Sequence, residues 1–410
     1  MSIRSLDALL ASTELRGKRV FVRADLNVPI RHGERGAEIS DDSRIRASLP
    51  TLERLLGAGA RIVLASHLGR PKDAPDPKLS LAPVAKALAA ILNVPVTLAS
   101  DCVGPEVTAA VDRLKDGEIL LLENLRFHRE ETKNEPGFAK ALAALADVYV
   151  NDAFGTAHRA HASTAGMVPH VPIVAAGGLL AEELDALSAV LEPARPFVCF
   201  LGGAKVSDKL GVLEALIERA DAVAVGGAMA YTFLAARGEP IGRSLVEANR
   251  FEEARRMLAR AEARGCPLLL PTDHVVAQSL EANAEARIVT KIPADAMGVD
   301  IGPATAARYA AEAARARTIL WNGPMGVFEI DTFAKGTESL ARAVAASSAK
   351  SIVGGGDSLA AVAKVGVGDR ISHLSTGGGA SLEFVQGLTL PGVAALDRNG
   401  TDRTGSERDR

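Results

Sequence analysis

Residues 197–218 read FVCFLGGAKVSDKLGVLEALIE, in which the apolar run Phe197–Leu201 ends in two glycines and an amphipathic segment follows. The run is short and continuously apolar, as in a strand covered on both faces of a parallel sheet. The segment predicted as a helix, Asp208–Glu218, is long enough to cross the sheet and lead into a second parallel strand. The order of strand, glycine turn and helix therefore predicts an α/β fold.

The same order recurs along the chain and predicts two doubly wound, Rossmann-like parallel-sheet domains. The strands predicted for the first half are Arg19–Val22, Arg61–Ala65, Val94–Leu98, Glu118–Leu122 and Asp147–Val150, and the helices are Leu49–Leu56, Leu81–Ile91, Glu106–Leu114 and Gly137–Leu145. The strands predicted for the second half are Phe197–Leu201, Ala222–Val225, Pro267–Leu270, Thr318–Leu320 and Ser351–Val353, and the helices are Asp208–Glu218, Arg250–Ala263, Ala304–Ala314, Phe333–Ala346 and Ser358–Val365.

The stretch LLAEELDAL, which starts at Leu179, predicts a stiff helix between the two domains, and Pro193 and Pro196 would end it. We therefore expect domains at residues 1–178 and 193–390, joined by a hinge helix at residues 179–192. Residues 397–410 contain no apolar side chain and are expected to form a disordered tail.

Composition excludes several classes of function. The 410 residues include 47 Lys and Arg against 50 Asp and Glu, a net charge of −3, and only 4% are aromatic. A generic basic surface or a base-stacking platform for nucleic acid is therefore not expected.

The three cysteines form no CxxC pair, and the chain shows neither an apolar signal core nor an apolar run of about 20 residues. These features predict a cytoplasmic protein without a membrane partner, and nothing in them demands more than a monomer.

Five glycine clusters follow predicted strands in the second half: FLGGAK at 200–205, VGGAM at 225–229, WNGPMG at 321–326, VGGGDS at 353–358 and STGGGA at 375–380. Glycine lets backbone amides approach an anion, and a helix that starts there adds a positive dipole end. Tight turns would explain any one cluster. Five in one domain indicate a site for nucleotide phosphates, although GxxxxGK[ST] is absent and no strand leads into GxGxxG.

Several polar residues near these clusters have two possible roles. Lys205 and Lys209 can bind phosphates, and they share a face if a helix begins near Ala204, but they can equally be solvated lysines. Asp357 can cap a helix or bind Mg²⁺ beside a phosphate chain. Glu329 can accept hydrogen bonds from ribose hydroxyls or be a surface charge.

Polar and basic residues follow the predicted strands of the first half, in RADLNVP at 23–29, SHLGRP at 66–71, ENLRF at 123–127 and NDAFGTAHRAH at 151–161. Arg44 and Arg46 stand before the helix predicted at Leu49. Arginines that follow successive strands can converge on a small anion and bind it bidentately, although each alone can be a solvated residue. His158 and His161 are three residues apart, but without HExxH or a nearby cysteine they do not indicate a metal site.

Together these segments resemble the phosphoglycerate kinase family from about Gly17 to Leu396. The resemblance is carried, in order, by GKRVFVRADLNVP from Gly17, SHLGRP from Ser66, ENLRF from Glu123, DAFGTAHRAH from Asp152, GGAKVSDK from Gly202, WNGPMGVFE from Trp321 and GGGDS from Gly354. It implies a two-lobed enzyme with a deep cleft. Such an enzyme transfers a phosphoryl group between ATP and the carboxylate of 3-phosphoglycerate, which makes or consumes 1,3-bisphosphoglycerate in glycolysis.

The resemblance also implies a role for particular residues. The acid would be bound by Asp25, Asn27, Arg44, His67, Leu68, Gly69, Arg70, Arg126 and Arg159. The nucleotide would be bound by Lys205, Lys209, Gly227, Gly298, Asn322, Pro324, Glu329, Gly355, Gly356, Asp357 and Ser358, with Mg²⁺ held by Asp357. Arg44, Lys205, Gly377 and Gly378 would surround the transferred phosphoryl group. The segment Pro391–Leu396 would pack on the first lobe.

Four features depart from the family pattern: Arg31–Asp42 is longer, Ser358 replaces a frequent threonine, Ala228 replaces a frequent glycine, and the polar tail after Leu396 is additional. None of these changes removes an implied catalytic group. The attacking carboxylate is ionised at pH 7, so the reaction needs no general base. Two alternatives remain at this point: a nicotinamide-dependent oxidoreductase, which the missing GxGxxG disfavours, and a non-catalytic, two-lobed binding protein for phosphorylated metabolites and nucleotides.

Overall fold

The computed structural model describes residues 3–33, 36–72 and 75–397. The chain divides into two compact units: unit 1 comprises Met1–Leu184 and Thr389–Arg410, and unit 2 comprises Asp185–Leu388. The tail expected at residues 397–410 lies, beyond Asp397, outside the described residues.

Unit 1 is built on a parallel sheet. Its strands are β1 (Arg19–Ala24), β2 (Ile30–Gly33), β3 (Gly36–Ile39), β4 (Arg61–Ala65), β5 (Val96–Leu98), β6 (Ile119–Leu121), β7 (Val148–Asp152) and β8 (Ile173–Ala176). Six of them form the sheet in the order β5-β6-β4-β1-β7-β8, and all of its pairs are parallel. The remaining two, β2 and β3, form a separate antiparallel hairpin within the long segment Arg31–Asp42 and its edges. Neither the hairpin nor β8 was predicted.

Helices connect these strands: α1 (Leu6–Ser12), α2 (Ser43–Gly57), α3 (Ala82–Leu92), α4 (Pro105–Arg113), α5 (Arg129–Lys133), α6 (Pro136–Ala143) and α7 (Gly178–Leu191). The predicted start of α2 at Leu49 was wrong, because the helix begins six residues earlier, at Ser43. Pro50 therefore lies inside the helix, although proline removes a backbone donor and is more common in the first turn. The earlier start places Arg44 in the first turn of α2.

Unit 2 repeats this architecture. Its strands are β9 (Phe197–Leu201), β10 (Ala222–Val225), β11 (Leu268–Leu269), β12 (His274–Ala277), β13 (Arg287–Val289), β14 (Met297–Ile301), β15 (Thr318–Asn322), β16 (Lys350–Gly354) and β17 (His373–Ser375). The main sheet is parallel and has the order β11-β10-β9-β15-β16-β17. The other three strands form an antiparallel sheet, β13-β12-β14, which the sequence rhythm did not predict.

The helices of unit 2 are α8 (Leu210–Ile217), α9 (Ala228–Ala236), α10 (Phe251–Arg264), α11 (Pro303–Arg315), α12 (Lys335–Ala346), α13 (Gly356–Val365) and α14 (Gly379–Val385). Each unit has its own apolar core, made by the buried faces of its sheet and helices. Two parallel sheets, each in its own unit, confirm the predicted α/β fold class. In the described part of the chain, no helix is both long and apolar enough to cross a membrane.

Helix α7 contains the boundary between the two units, since unit 1 ends at Leu184. Its first turn is fixed to unit 1 by side chains. Asp152 Oδ1 accepts hydrogen bonds from Leu179 N at 2.9 Å and Leu180 N at 3.3 Å, and Thr51 Oγ1 accepts one from Gly178 N at 2.9 Å. Burial raises the pKa of Asp152 to about 6.

After unit 2 the chain returns to unit 1 through α15 (Pro391–Ala394). The contact is close, because Gly392 N donates to Ala157 O at 2.8 Å and a Cβ on Gly392 would lie 3.0 Å from Ala157 Cα. Val393 and Leu396 are each only 2% exposed. The returning segment is therefore part of the packed interior of unit 1.

Candidate active site

The polar residues of unit 1 follow the carboxyl ends of neighbouring strands, where parallel α/β sheets bind ligands. Asp25 and Asn27 follow β1, and His67 and Gly69 follow the adjacent strand β4. Arg126 lies on a short 3₁₀ helix, Leu125–Phe127, after β6. The strand order thus brings together residues that are far apart in the sequence.

Backbone and side-chain hydrogen bonds hold these loops together at Gly69. Asn27 Oδ1 accepts a hydrogen bond from Gly69 N at 2.8 Å, and Arg126 Nη1 donates to Gly69 O at 2.8 Å. Gly69 has a φ of +61°, and a Cβ there would lie 2.7 Å from Leu79 Cδ2. The position therefore requires glycine for both its backbone conformation and its space.

The buried amide of Asn124 connects the same loops. Its Oδ1 accepts hydrogen bonds from Leu68 N and Arg126 N, both at 3.1 Å, and its Nδ2 donates to Leu68 O at 2.8 Å and Leu79 O at 2.9 Å. All four hydrogen-bonding positions of the amide are used. Asn124 therefore positions both Leu68 and Arg126, a role that the sequence did not indicate.

Arg44 makes an ion pair with Asp25. The Asp25 side chain is 11% exposed and the Arg44 side chain 35% exposed, so the guanidinium is held by the carboxylate but remains accessible to a ligand. Arg46, two residues later, is directed elsewhere and pairs with Asp42 at 2.8 Å. Of the two arginines, only Arg44 has its partner at the carboxyl end of the central sheet.

Several positive charges act on His67, which is 4% exposed. Burial lowers the pKa of His67 well below its usual value, and the charges of Arg23, Arg126 and Arg44 lower it further. Burial likewise lowers the pKa of Arg126 to about 10, with further contributions from Arg159 and Arg23. The basic groups therefore form a cluster, and the imidazole among them is neutral at pH 7.

Beneath this cluster lies a buried layer of polar groups that the sequence interpretation missed. Arg23 Nε donates to Ser163 Oγ at 2.8 Å, and Ser163 Oγ donates to Glu131 Oε1 at 2.6 Å. Arg23 and Glu131 are both 0% exposed. His161 Nδ1 lies 3.8 Å from Glu131 Oε1, and burial lowers the pKa of His161 to about 4. The motif RADLNVP included Arg23, but no motif in the sequence identified Glu131 as the carboxylate to which Ser163 connects it.

The remaining predicted residues of unit 1 are more exposed. Arg159 lies after β7 and places its Nε 3.2 Å from His158 Nε2, while Arg70 is an exposed residue after β4. Within the described residues, His158 and His161 do not belong to a group of potential metal ligands.

In unit 2, four of the five glycine clusters surround two adjoining cavities. The polar cavity, of about 300 Å³, is lined by Gly203, Ala204, Lys205, Asp208, Lys209, Asn322, Gly323, Pro324, Gly355, Gly356, Asp357 and Ser358. These residues follow β9, β15 and β16, which are consecutive in the sheet. Their glycine-rich backbone gives the cavity amide donors for an anion.

Lys209 is the most strongly bonded cation of this cavity. Its Nζ donates to Gly202 O at 2.7 Å and to both Asn322 O and Asn322 Oδ1, at 2.8 and 2.6 Å. Burial lowers the pKa of Lys209 to about 8, against the charges of Asp357 and Asp208. Helix α8 begins only at Leu210, so the condition under which Lys205 and Lys209 would share a helical face, a helix that begins near Ala204, is not met. Both nevertheless line the cavity, and Lys205 is exposed.

Two side chains shape the floor of the polar cavity. Asn322 Nδ2 donates to Gly354 O at 2.8 Å, and Gly323 N donates to Ser358 Oγ at 2.6 Å. Ser358 is fully buried, so its hydroxyl is a structural link between the loops after β15 and β16. Helix α13 starts at Gly356, and Asp357 is an exposed carboxylate in its first turn.

The second cavity, of about 240 Å³, is mostly apolar. It is lined by Gly203, Ala204, Gly227, Ala228, Tyr231, Leu245, Leu280, Met297, Gly298, Val299, Pro324, Met325, Gly326, Val327, Glu329 and Asp357. It shares Gly203, Ala204, Pro324 and Asp357 with the polar cavity. A flat apolar group with a polar, anionic extension would fit this pair of cavities. Tyr231, Leu245 and Leu280 belong to it although the sequence analysis did not name them.

The fifth glycine cluster lies apart from both linings. Gly377 and Gly378 follow β17, the edge strand beside β16, and Gly378 precedes α14. Gly377 N donates to Ser375 Oγ at 3.3 Å. Among the described residues, neither of these glycines lines one of the two cavities.

Known proteins resemble this chain over nearly its whole length. The sequence model described as phosphoglycerate kinase matches residues 10–388. A phosphoglycerate kinase of Anaeromyxobacter dehalogenans is 56% identical over 402 residues, which cover 97% of this chain and 100% of the relative. One from Solibacter usitatus is 55% identical over 400 residues, which cover 97% and 99%.

Solved structures give the same result. The phosphoglycerate kinase of Coxiella burnetii superposes with a TM-score of 0.86 at 42% identity, and the match covers 95% of this chain and 98% of that one. The enzyme of Pyrococcus horikoshii superposes with a TM-score of 0.82 at 34% identity, covering 96% and 98%.

Proposed function

The chain belongs to the phosphoglycerate kinase family and catalyses the glycolytic transfer of a phosphoryl group between ATP and 3-phosphoglycerate, and we propose that unit 1 binds the acid while unit 2 binds the nucleotide. Family membership sets aside the oxidoreductase and the non-catalytic binding protein considered from the sequence. The observation that carries the assignment of the units is the group of basic residues around His67 in unit 1, where Arg23 Nη2 lies 3.3 Å from His67 Nδ1 and the charges of Arg126 and Arg44 also act on the imidazole.

Unit 1 suits the acid because its charges are matched to a small dianion. Arg126, Arg159 and Arg70 supply guanidinium groups that can bind a phosphate bidentately. Asp25 and Asn27 present oxygen acceptors close by, which suit the hydroxyl of a glycerate. The neutral His67 and the amides of Leu68 and Gly69 complete the proposed set for this substrate.

Unit 2 suits the nucleotide because an apolar cavity adjoins a polar one. We assign the base to the cavity with Gly227 and Gly298, and the ribose to Glu329 at its rim. The phosphates would lie along Gly355, Gly356 and Lys209. Asn322, Pro324 and Ser358 hold the loops that form this surface.

Asp357 is the residue that fits a magnesium ion. It is an exposed carboxylate that borders both cavities, and Mg²⁺ is usually bound by one or two carboxylates together with phosphate oxygens and water. When bound, the ion would neutralise charge on the phosphate chain. The positive field of Lys205 and Lys209 would act on the same phosphates.

The chemistry requires alignment and charge stabilisation more than proton transfer. The attacking oxygen belongs to an ionised carboxylate, so no general base is needed. We propose direct in-line transfer, in which the new bond to phosphorus forms as the bond to ADP breaks. Arg44, Lys205 and the amides of Gly377 and Gly378 would stabilise the moving phosphoryl group.

Direct transfer also requires the two bound substrates to meet. We propose that a hinge motion about α7 brings this about and excludes water from the acyl phosphate. Small-angle scattering with both substrates should then give a smaller radius of gyration than scattering without them. Identical profiles would contradict the hinge.

We further propose that the enzyme works in the cytoplasm as a monomer. All three cysteines are unpaired and buried, which suits a reducing compartment. Sedimentation of the purified chain tests the monomer, and fractionation of the source cells tests the compartment.

The proposed residue roles are tested by measuring ADP formation with Mg²⁺, ATP and 3-phosphoglycerate, in an assay coupled to removal of the acyl phosphate. Arg44→Ala should lower kcat by about 10²–10³-fold, since it removes a donor that acts mainly in the transition state, while substrate KM values change little. The matched control is Arg46→Ala, whose side chain pairs with Asp42 and should leave kcat unchanged. An Arg44→Ala enzyme with an unchanged kcat would remove this role.

A further inference from the structure

Asp101, Cys102 and His128 form a compact group in unit 1, apart from the substrate sites. One potential ligand atom from each, a carboxylate oxygen, a thiol sulfur and an imidazole nitrogen, lies within 4.8 Å of the other two. Asp101 and Cys102 follow β5, whereas His128 follows the 3₁₀ helix after β6. The parallel pairing of β5 with β6 brings the two segments together.

The side chains of Asp101 and His128 already meet, and the thiol of Cys102 lies within 4.8 Å of both. Asp101 Oδ1 and His128 Nε2 are 2.6 Å apart, and Cys102 N donates to the same Oδ1 at 2.6 Å. The Cys102 thiol donates to Glu123 O at 3.0 Å. His128 also stacks on Phe138, with ring centroids 4.9 Å apart, which restricts the orientation of the imidazole.

Sulfur, nitrogen and oxygen ligands in this combination are typical of zinc sites. With zinc bonds of about 2.0–2.3 Å, tetrahedral ligands lie roughly 3–4 Å from each other. The ligand atoms of this group therefore need to move by about an ångström or less. The Asp101–His128 hydrogen bond would open, and both atoms would bind the ion instead.

The charge around the group also favours a cation. The carboxylates of Asp101, Glu123 and Glu131 place negative charge around the Cys102 sulfur. Cys102 is 0% exposed, whereas the side chains of Asp101 and His128 are 50% and 23% exposed. An ion can thus enter from the Asp101 side, and water can complete its coordination there.

We propose that Asp101, Cys102 and His128 bind a divalent ion of the zinc class, distinct from the magnesium that accompanies the nucleotide. Binding replaces the thiol proton with the metal and releases that proton to solvent. The ion cross-links the segment after β5 to His128, two residues beyond Arg126. It holds in place the loop that carries this arginine and takes no part in phosphoryl transfer.

The test uses the full chain after removal of metals with a chelator. Co²⁺ added to the wild-type chain should produce a thiolate-to-cobalt charge-transfer band that saturates at one equivalent. Zn²⁺ should abolish the band, and competition with a chromophoric chelator gives its Kd. Cys102→Ser should remove the band and raise the Kd for Zn²⁺ at least tenfold. Cys266→Ser, which removes a buried cysteine of unit 2, is the matched control and should change neither.

His128→Gln provides a second variant, because its partly exposed side chain can be replaced without emptying the core. It should raise the Kd for Zn²⁺ at least tenfold while the circular dichroism spectrum stays that of the folded chain. Absence of the thiolate band in the wild-type chain would overturn the proposal without any variant. A band that persists in Cys102→Ser, or a Kd unchanged in folded His128→Gln, would overturn it too.

Discussion

Lys209 and Asn322 are joined by two hydrogen bonds from one ammonium group, with Nζ 2.6 Å from Oδ1 and 2.8 Å from the carbonyl oxygen of Asn322. The contact fixes the loop after β9 to the last residue of β15, the neighbouring strand in the sheet. The same ammonium is partly desolvated, so its charge is less stable than that of a surface lysine. Lys209 therefore both holds two segments of the sheet edge together and carries a charge that depends on pH near neutrality.

The first prediction concerns the pH dependence of nucleotide binding. The pKa of Lys209 is lowered to about 8, and phosphate binding favours the charged form. As the pH rises above about 8, free enzyme loses the proton that the complex retains, so the Kd for ATP should increase by up to about tenfold per pH unit. Equilibrium titration over this range measures the effect.

Lys209→Arg is the control for this prediction, because its guanidinium remains charged over the whole range. Its Kd for ATP should show no such increase, even if its absolute affinity is lower. Equal pH dependence in the two proteins would exclude Lys209 as the titrating group.

The second prediction concerns Arg23 and Glu131, two buried charges that are connected through the hydroxyl of Ser163. Glu131→Gln keeps the shape of the side chain but leaves the charge of Arg23 uncompensated in the interior. The free energy of unfolding should fall by about 3–5 kcal/mol, as when one partner of a buried ion pair is removed. Urea unfolding measures the change.

The exposed neighbour Glu130 provides the matched control. Glu130→Gln should change the free energy of unfolding by no more than about 0.5 kcal/mol. Similar losses in the two variants would mean that local helix effects in α5, and not compensation of Arg23, determine the result.

The third prediction concerns acid stability. Burial lowers the pKa of His161 to about 4 in the folded chain, whereas the unfolded chain has the ordinary value of 6.5. Between these values the unfolded chain binds a proton that the folded chain does not. This group therefore stabilises the fold above pH 6.5, and the stabilisation is lost as the pH falls toward 4, by up to about 1.4 kcal/mol per pH unit.

His161→Gln should accordingly have a flatter dependence of unfolding free energy on pH in this window, as measured by urea unfolding at several pH values. His170→Gln, which changes an exposed histidine of the same unit, should follow the wild-type curve. A His161→Gln curve parallel to that of the wild type would contradict the prediction.

The fourth prediction concerns the cavity assigned to the base. A Cβ on Gly298 would overlap the phenol of Tyr231, which lines that cavity. Gly298→Ala should push the ring into the space for the base. Overpacking of this kind costs about 1–3 kcal/mol, which corresponds to a roughly 5–150-fold weaker affinity for ATP. Steady-state kinetics should show the loss in the KM for ATP, with the KM for 3-phosphoglycerate unchanged.

Gly137→Ala is the comparison, because no heavy atom lies within 4 Å of the Cβ that it adds to α6. Both KM values should stay at the wild-type level. A normal KM for ATP in Gly298→Ala would show that Tyr231 has room to move away from the base.

The elements that carry the site were largely predictable from sequence because their signals are local. Apolar runs such as Phe197–Leu201 and Ala222–Val225 were predicted with their observed bounds, since both faces of these strands are covered. The glycine clusters could be located because backbone approach to an anion demands glycine at particular positions. Gly227, for example, has a φ of +66° at the start of α9.

Other features depend on contacts that no local pattern encodes. The antiparallel sheet of β12, β13 and β14 was missed because β13 is largely exposed and lacks a continuous apolar run. The link from Arg23 through Ser163 to Glu131 spans residues more than 100 positions apart. Only the strand order brings such residues together, and the linear sequence does not reveal which carboxylate will compensate a given arginine.

The return of α15 to unit 1 has a consequence for biosynthesis. Unit 2 is one uninterrupted segment, whereas unit 1 needs Val393 and Leu396, which the ribosome makes only after all 204 residues of 185–388. At about 5–20 residues per second, the wait is roughly 10–40 s. Throughout that interval the nascent unit 1 has all of its strands but lacks the segment that packs against Ala157, so we expect the apolar surface that Val393 and Leu396 cover to stay exposed during translation.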